Sequence, residues 1–232
     1  MPRRIALAAL LVLAALALAG CGGDEEAAPP PEATEQGTLP DAPGDATANG
    51  CRDVELPEPR PEGTETAPTA LLPADATYEV DVITSCGDFT ITVDQEASPQ
   101  TAASFVALAE NGFYAGTVFH RIVPGFVIQG GDPTGTGTGG PGYTTQDTPA
   151  ADTTYEQGVV AMAKGAAEPP GAAGSQFFIV TAPEVALPPD YAVVGRVTDG
   201  MDVVQRIAVL GDPNTELPTQ PVVVERMEVR TS

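Results

Sequence analysis

The sequence contains few basic residues and few of the histidine and cysteine side chains that bind metal ions. It contains no tryptophan, one histidine and one lysine, and its ten basic residues stand against 32 acidic ones, for a net charge of −22 at pH 7. That excess of negative charge argues against nucleic acid or an anionic lipid surface as a partner. Three cysteines and one histidine offer no cluster with the spacing of a metal site, so we expect no metal.

The longest apolar run, Ile5–Ala19, is too short to cross a bilayer, whose hydrocarbon core needs about twenty helical residues. Because two arginines precede this run, residues 1–20 indicate a secretory signal. The run ends in LAGC at residues 18–21, which resembles the bacterial lipobox and implies a lipid on Cys21. We therefore expect a lipid-anchored protein on the extracytoplasmic face of the cell membrane. The alternative is an ordinary signal peptide followed by an unmodified cysteine.

Residues 21–75 differ in composition from everything that follows. They are rich in Pro, Ala, Glu, Asp, Thr and Gly and poor in large apolar side chains, so they cannot bury enough surface to offset the entropy of ordering. We expect a disordered acidic tether, with a binding segment inside it as the alternative. Residues 76–232 are long enough for one domain with a complete core, and we expect that domain to be a monomer.

Setting Cys21 aside for lipid leaves two cysteines, Cys51 and Cys86. In an exported protein such a pair is a candidate disulfide, which would join the end of the tether to the first hairpin. Two free thiols are the alternative, because spacing alone does not decide between them.

Short-range apolar patterns predict a mainly β domain with two helices. Alternation over Tyr78–Ile83 and Phe89–Val93 indicates a β-hairpin, and Ser98 before Pro99 indicates a helix start. A second amphipathic helix is predicted over Met201–Val209. Further short strands are predicted at Val118–Ile122, Phe126–Gln129, Gly158–Ala163, Gln176–Val180, Ala192–Val197 and Val222–Val229. This spacing favours a closed or nearly closed antiparallel sheet.

Two motifs resemble the cyclophilin family: FHRIVPGFVIQGGD at residues 119–132 and SQFFI at residues 175–179. The glycine-rich segment Gly135–Gly140 and the strand Val194–Val197 also resemble family segments. The resemblance runs across residues 76–231. It implies a closed eight-stranded antiparallel β-barrel capped by two α-helices, which isomerises X-Pro peptide bonds without a cofactor. The clients implied are proline-containing polypeptides, here exported chains whose folding the protein would assist.

Rotation about a peptide bond is opposed by a barrier of about 18 to 20 kcal/mol, because the nitrogen lone pair is delocalised. An enzyme must favour the twisted amide, which a hydrogen-bond donor beside an apolar pocket can do. By the resemblance, Arg121 is the catalytic donor, since a guanidinium is a rigid, permanently charged fork. Outside this motif, a strand arginine in a surface ion pair would be the ordinary interpretation.

The resemblance also implies the residues that bind the substrate. Val127 stands where many relatives have methionine, and Gln129 and Gln176 match polar groove positions. Each glutamine either binds the substrate backbone or makes a structural hydrogen bond, because a buried amide is costly unless it is paired. The substrate-binding positions implied are Phe126, Val127, Gln129, Ala163, Lys164, Gln176, Phe178, Leu187 and Tyr191.

Three positions depart from the family pattern. Ala186 stands where many relatives have tryptophan, Tyr191 where many have histidine, and Lys164 where asparagine is common. The missing tryptophan predicts weak binding of cyclosporin, the macrocyclic inhibitor of the family. Tyr191 can still close the pocket, and Lys164 is expected to be a solvated charge at the groove edge.

The single histidine, His120, is expected to be structural. Adjacent strand residues face opposite sides, so if Arg121 points into the groove then His120 points away. By the same alternation, Phe119 is expected on the same face of the strand as Arg121, where it would support the pocket. The glycines of Gly135–Gly142 do not form a nucleotide site, because no GK[ST] ending or helical pattern follows them.

Two other classes of function remain open from the sequence. The groove could hold proline-containing peptides without turning them over, as a binding module or chaperone at the cell envelope. The chain could also be a structural envelope lipoprotein. Arg121 together with an intact pocket favours the enzyme.

Overall fold

The computed structural model of the protein describes residues 47–232. The expected signal peptide and Cys21 lie outside the described residues. Two helices lie within this part of the chain, α1 (Pro99–Glu110) and α2 (Met201–Ala208). The strands are β1 (Tyr78–Thr84), β2 (Gly87–Val93), β3 (Thr117–Val118), β4 (Arg121–Val123), β5 (Val127–Gly130), β6 (Thr145–Gln146), β7 (Tyr155–Glu156), β8 (Val159–Met162), β9 (Ala172–Ala173), β10 (Phe177–Val180), β11 (Glu184–Val185), β12 (Val193–Asp199) and β13 (Val223–Thr231).

The first hairpin follows from the alternation in its sequence. Every second residue of β1, from Tyr78 to Thr84, is buried, and β1 pairs antiparallel with β2 through a turn at Ser85 and Cys86. The alternating side chains put one face of the hairpin into the core and leave the other toward solvent. The predicted hairpin is confirmed.

Both helices begin where the sequence predicted. Helix α1 has Pro99 in its first turn, but the Ser98 side chain makes no capping bond. A carboxylate from elsewhere takes that role, because Asp147 Oδ2 accepts from the Thr101 N–H at 2.7 Å and from Thr101 Oγ1 at 2.7 Å. Helix α2 buries Val203, Val204 and Ile207, the face that its pattern predicted.

The main sheet has nine strands in the order β3-β13-β1-β2-β12-β8-β10-β5-β4, and all the pairs in it are antiparallel. The predicted strand Val118–Ile122 is in fact two short strands, β3 and β4, at opposite edges of the sheet. Since only Phe119 and His120 separate them, the sheet must curl until its two edges lie close together.

The expected closed eight-stranded barrel is therefore wrong. No ladder joins β3 to β4, and a single bridge between Val118 and Asp132 stands where a ladder would close the barrel. The sheet is an open, strongly curled half-barrel. Strands of two and three residues at the edges are too short to complete the closure.

Two apolar clusters lie on the two faces of strand β10. Phe177 belongs to the main core, with ring centroids 5.8 Å from Phe105, 5.8 Å from Tyr114 and 6.1 Å from Phe119. Phe178, the next residue, belongs to a second, smaller cluster, because neighbouring strand residues face opposite sides. Phe119 is thus buried in the main core, and its expected support of the pocket on the Arg121 face is wrong. It precedes β4, so the alternation of that strand does not reach it.

Residues 47–75 lie along the domain and are called the N-terminal arm below. Their backbone N–H groups bond across to it: Arg52 to Ser85 at 2.7 Å, and Gly63 to Gly140 at 2.9 Å. The structure therefore differs from the expected tether, which was to remain disordered as far as residue 75. Composition indicates only how little apolar surface these residues can bury, whereas backbone hydrogen bonds and a disulfide at Cys51 hold the arm in place.

Candidate active site

A row of side chains crosses the sheet from its β4 edge. Arg121 of β4 is opposite Gln129 of β5, Gln129 is opposite Phe178 of β10, and Phe178 is opposite Ala161 of β8. Directly opposed residues on paired strands project from the same face. The register therefore brings a cation, an amide and a phenyl ring onto one face, although Arg121 and Phe178 are far apart in sequence.

The second apolar cluster surrounds Phe178 and is called the pocket below. The Phe178 and Tyr191 ring centroids are 5.4 Å apart at an interplanar angle of 85°, the edge-to-face arrangement that aromatic pairs favour. Tyr191 is half-buried and packs against the edge of this cluster. All the predicted apolar pocket residues fall in this cluster, namely Phe126, Val127, Ala163, Phe178, Leu187 and Tyr191.

Tyr155 of β7 supports this pocket and was not predicted. Its ring is fully buried, 6.3 Å from the Phe178 centroid and 6.1 Å from that of Tyr191. Its hydroxyl donates to the Tyr191 carbonyl at 2.9 Å and accepts from the Tyr191 N–H at 3.1 Å. Burial is the main cause of the raised pKa of Tyr155, so this hydroxyl stays protonated and can donate.

The two glutamines form a short chain of hydrogen bonds. Gln129 Nε2 donates to Gln176 Oε1 at 3.1 Å, and Gln176 Nε2 donates to the Gly139 carbonyl at 2.9 Å. Each amide therefore has a hydrogen-bond partner within the protein, as the structural alternative required. Within residues 47–232 no hydrogen bond ends on Gln129 Oε1, so the structural bond and a substrate contact are compatible.

Arg121 is held from one side. Its Nε donates to Glu216 Oε2 at 2.7 Å, and its side chain is 35% exposed. In the part of the chain that the structure describes, the two terminal nitrogens of this guanidinium make no hydrogen bond. Both nitrogens are therefore available to donate to a bound ligand.

Lys164 lies at the rim of the pocket. Its Nζ is 5.8 Å from the Tyr191 ring centroid and donates to the Glu168 carbonyl at 3.1 Å. Ala186, at the position where many relatives have tryptophan, is exposed. The pocket is therefore bounded on this side by Tyr191 and Leu187, with the Lys164 ammonium near the Tyr191 ring.

A cavity of about 680 Å³ adjoins the pocket through four of the predicted positions, Gln129, Ala163, Lys164 and Gln176. The rest of its wall comes from the loop between β5 and β6, from Glu62 and Gly63 of the N-terminal arm, and from Gly165, Glu168, Gly174 and Ser175. The arm packs tightly there, since a Cβ on Gly63 would lie 2.8 Å from Phe113 Cε2 and 3.0 Å from Pro141 Cα. No pattern in the sequence indicates that residues before 76 border the groove.

The glycine-rich loop is held from within by Asp132. This fully buried carboxylate accepts from the N–H groups of Thr134 at 2.7 Å, Gly137 at 2.6 Å and Gly139 at 3.2 Å. Burial acts to raise the pKa of Asp132, but these hydrogen bonds outweigh it and lower the pKa overall. Because these three N–H groups point at an internal carboxylate, they cannot hold a phosphate.

His120 lies beside this loop, and its ring faces Gly137. Burial is the largest influence on its pKa and lowers it, so the imidazole is neutral at pH 7. Among the described residues no group of three or more His, Cys, Asp or Glu side chains could hold a metal ion. None of the helices in residues 47–232 has the length and apolar character needed to cross a membrane.

Comparison with known proteins identifies the family and the fold. The family model for cyclophilin type peptidyl-prolyl cis-trans isomerases matches residues 79–229. A peptidyl-prolyl cis-trans isomerase of Arabidopsis thaliana is 38% identical over 155 residues, which cover 65% of this chain and 93% of that protein. Peptidyl-prolyl cis-trans isomerase B of Bacillus subtilis is 46% identical over 114 residues, covering 49% of this chain and 78% of that protein.

Solved structures agree with the sequence comparison. The crystal structure of a cyclophilin type isomerase of Cryptosporidium parvum superimposes with a TM-score of 0.59 at 30% identity, over 66% of this chain and 98% of that one. A second crystal structure of that protein, in the presence of the dipeptide Ala-Pro, gives a TM-score of 0.58 at 29% identity over the same shares. The chain belongs to the cyclophilin type peptidyl-prolyl cis-trans isomerase family.

Proposed function

We propose that this domain accelerates cis-trans rotation about X-Pro peptide bonds. The observation that carries the proposal is the shared sheet face of Arg121 and Phe178, with Gln129 between them. Arg121 and Phe178 lie on strands that are separated by one strand, β5. Since adjacent strands are about 4.8 Å apart, the space between the two side chains is about the size of one dipeptide. The relative determined in the presence of Ala-Pro supports a proline dipeptide as the occupant.

The proline ring binds in the apolar pocket formed by Phe126, Val127, Phe178, Leu187 and Tyr191. Burying the ring anchors one side of the amide bond, because the apolar contact area fixes the pyrrolidine in place. The residue before proline stays free to rotate in the more open part of the groove. Only one side of the rotating bond is held, as the reaction requires.

Arg121 favours the twisted amide. In the planar amide the nitrogen lone pair is delocalised and cannot accept a hydrogen bond, whereas in the twisted amide it is localised on nitrogen. A guanidinium N–H can donate to this proline nitrogen or to the backbone carbonyl beside it. That hydrogen bond is stronger in the transition state than in either planar ground state. No covalent bond forms or breaks, so no nucleophile and no proton acceptor are needed.

The client chain extends from the pocket into the adjoining cavity. That cavity shares Gln129, Ala163, Lys164 and Gln176 with the groove and is large enough for further residues of a peptide. Gln129 Oε1 can accept a backbone N–H of the client there. The clients are unfolded or partly folded polypeptides, whose flexible backbone can enter an open groove.

A peptide-binding module without turnover is the second candidate, and one observation favours it. Arg121 is engaged by Glu216, so part of its charge is already balanced. Isomerisation of a proline tetrapeptide, measured together with peptide binding, separates the two functions. The enzyme accelerates isomerisation and loses both activities in Phe178→Ala, whereas the binding module binds the peptide and leaves the isomerisation rate unchanged.

We also propose that the protein acts as a lipid-anchored monomer outside the cytoplasmic membrane, where it assists the folding of exported chains. The proposal rests on the short apolar run followed by LAGC, and on the disulfide of Cys51 with Cys86, which an oxidising compartment permits. Mass spectrometry of protein isolated from membranes is expected to find acyl mass on Cys21. An unmodified Cys21 would contradict the anchor, and sedimentation as a dimer would contradict the monomer.

A further inference from the structure

Glu216 occupies an unusual place in the backbone. It lies in the loop between α2 and β13 with φ of 60°, and it is the one non-glycine residue with positive φ among residues 47–232. Side chains disfavour this left-handed conformation because Cβ approaches the following carbonyl. Glycine would occupy this position at lower energy.

The backbone at Glu216 is joined to the strand that carries Arg121. The Glu216 carbonyl accepts from the Ile122 N–H at 2.8 Å, and the Glu216 N–H donates to the Asp212 carbonyl at 2.8 Å. Ile122 is the residue directly after Arg121. The loop is therefore held in register with β4, and its strained residue stands beside the guanidinium.

The side chain of Glu216 contacts Arg121 in a specific way. Its Oε2 accepts from Nε at 2.7 Å, with side-chain exposures of 46% for Glu216 and 35% for Arg121. Ion pairs at this exposure contribute little to stability. Stability of the fold therefore does not explain why a strained backbone and a weak ion pair occur together at Glu216. Backbone strain beside a reactive group is typical of functional sites.

We propose that Glu216 is a positioning residue for Arg121, an inference that rests on the proposed function. By accepting from Nε, the carboxylate fixes the plane of the guanidinium and leaves both terminal nitrogens to the groove. An arginine held in this way loses less freedom when the twisted amide forms, so Glu216 raises turnover without touching the client.

The test uses substitutions that keep the backbone conformation. Glu216→Gly and Glu216→Asn both suit positive φ and remove the carboxylate from Arg121. Each is expected to keep the melting temperature of the wild type or exceed it, while kcat falls about tenfold and KM stays within about twofold. Glu216→Gln retains an oxygen that can accept from Nε and is expected to restore most of the lost turnover. Glu228→Gln removes another arginine partner, that of Arg226, and is the control expected to leave kcat unchanged.

A double-mutant cycle supplies a readout that a purely structural role would not move. In an Arg121→Ala background Glu216→Gly is expected to have no further effect on kcat, because its action passes through the missing guanidinium. The inference is overturned if Glu216→Gly and Glu216→Asn keep wild-type kcat, or if Glu216→Gly still lowers kcat in the Arg121→Ala background. If the wild type itself does not accelerate isomerisation, it is the proposed function that fails, and this inference fails with it.

Discussion

Cys51 and Cys86 are joined by a disulfide that ties the N-terminal arm to the turn between β1 and β2. Both cysteines are buried in the main core, with exposures of 0% and 1%. The arm continues from this bond to the cavity wall at Glu62 and Gly63. One covalent bond therefore connects the fold's first hairpin with a segment that borders the proposed client groove.

Removing this disulfide is expected to destabilise the domain. The bond closes a loop with a sequence separation of 35, and on the chain-entropy model its loss costs about 3 to 4 kcal/mol. The double variant Cys51→Ala/Cys86→Ala should unfold at correspondingly lower urea concentration than the oxidised wild type. Equal midpoints for the double variant and the oxidised wild type would contradict the prediction.

Asp132→Asn is expected to loosen the glycine-rich loop. The carboxylate accepts three backbone N–H bonds, and hydrogen bonds to a buried charge contribute about 1.5 to 3 kcal/mol each when one partner is removed. The neutral amide keeps one acceptor oxygen, so a loss of about 2 kcal/mol is expected in urea unfolding at pH 7.

The same carboxylate predicts how stability depends on pH. The pKa of Asp132 is lowered in the folded protein, so its contribution is complete above the ordinary aspartate pKa of about 4 and is lost as the pH falls through the lower folded value. The wild type should therefore lose more stability between pH 5 and strongly acidic pH than Asp132→Asn does. Parallel stability curves for the two proteins would contradict the assignment.

Tyr155→Phe is expected to weaken the pocket without removing its ring. The hydroxyl bridges the N–H and carbonyl of Tyr191, so its loss should cost about 1 kcal/mol of stability and raise KM for a proline peptide severalfold. Tyr114→Phe is the matched control, because Tyr114 is also fully buried and donates to the Ser175 carbonyl at 3.2 Å, but in the main core. The control should lose stability and keep KM, and an equal change of KM in both variants would contradict the role of Tyr155.

The hairpin and both helices could be predicted because their signals are local. Alternation, a proline after Ser98 and an amphipathic face each lie within a dozen residues. Closure of the barrel could not be predicted, because whether β3 pairs with β4 depends on two short edges whose register no local pattern fixes. One strand was predicted over Val118–Ile122, but the structure has two, because the chain crosses there from one edge of the sheet to the other.

Some residues of the candidate site can be found from sequence motifs, whereas others are brought to the site only by the fold. Arg121, Gln129 and Phe178 stand in motifs, and the register of β4, β5 and β10 brings them onto one face. Glu216 is 95 residues from Arg121 and is adjacent to it only through the loop after α2. The arm was missed because its attachment is through backbone hydrogen bonds, which composition does not reveal.

The most direct test of the central claim, that a guanidinium beside the proline pocket lowers the barrier to rotation, compares the wild type with Arg121→Ala and Arg121→Lys. Isomerisation of a proline tetrapeptide and equilibrium binding of the same peptide are measured for each. We predict that kcat/KM falls about a hundredfold in Arg121→Ala, with little rescue by lysine and with peptide affinity changed only a few-fold. Undiminished isomerisation by Arg121→Ala would contradict the account.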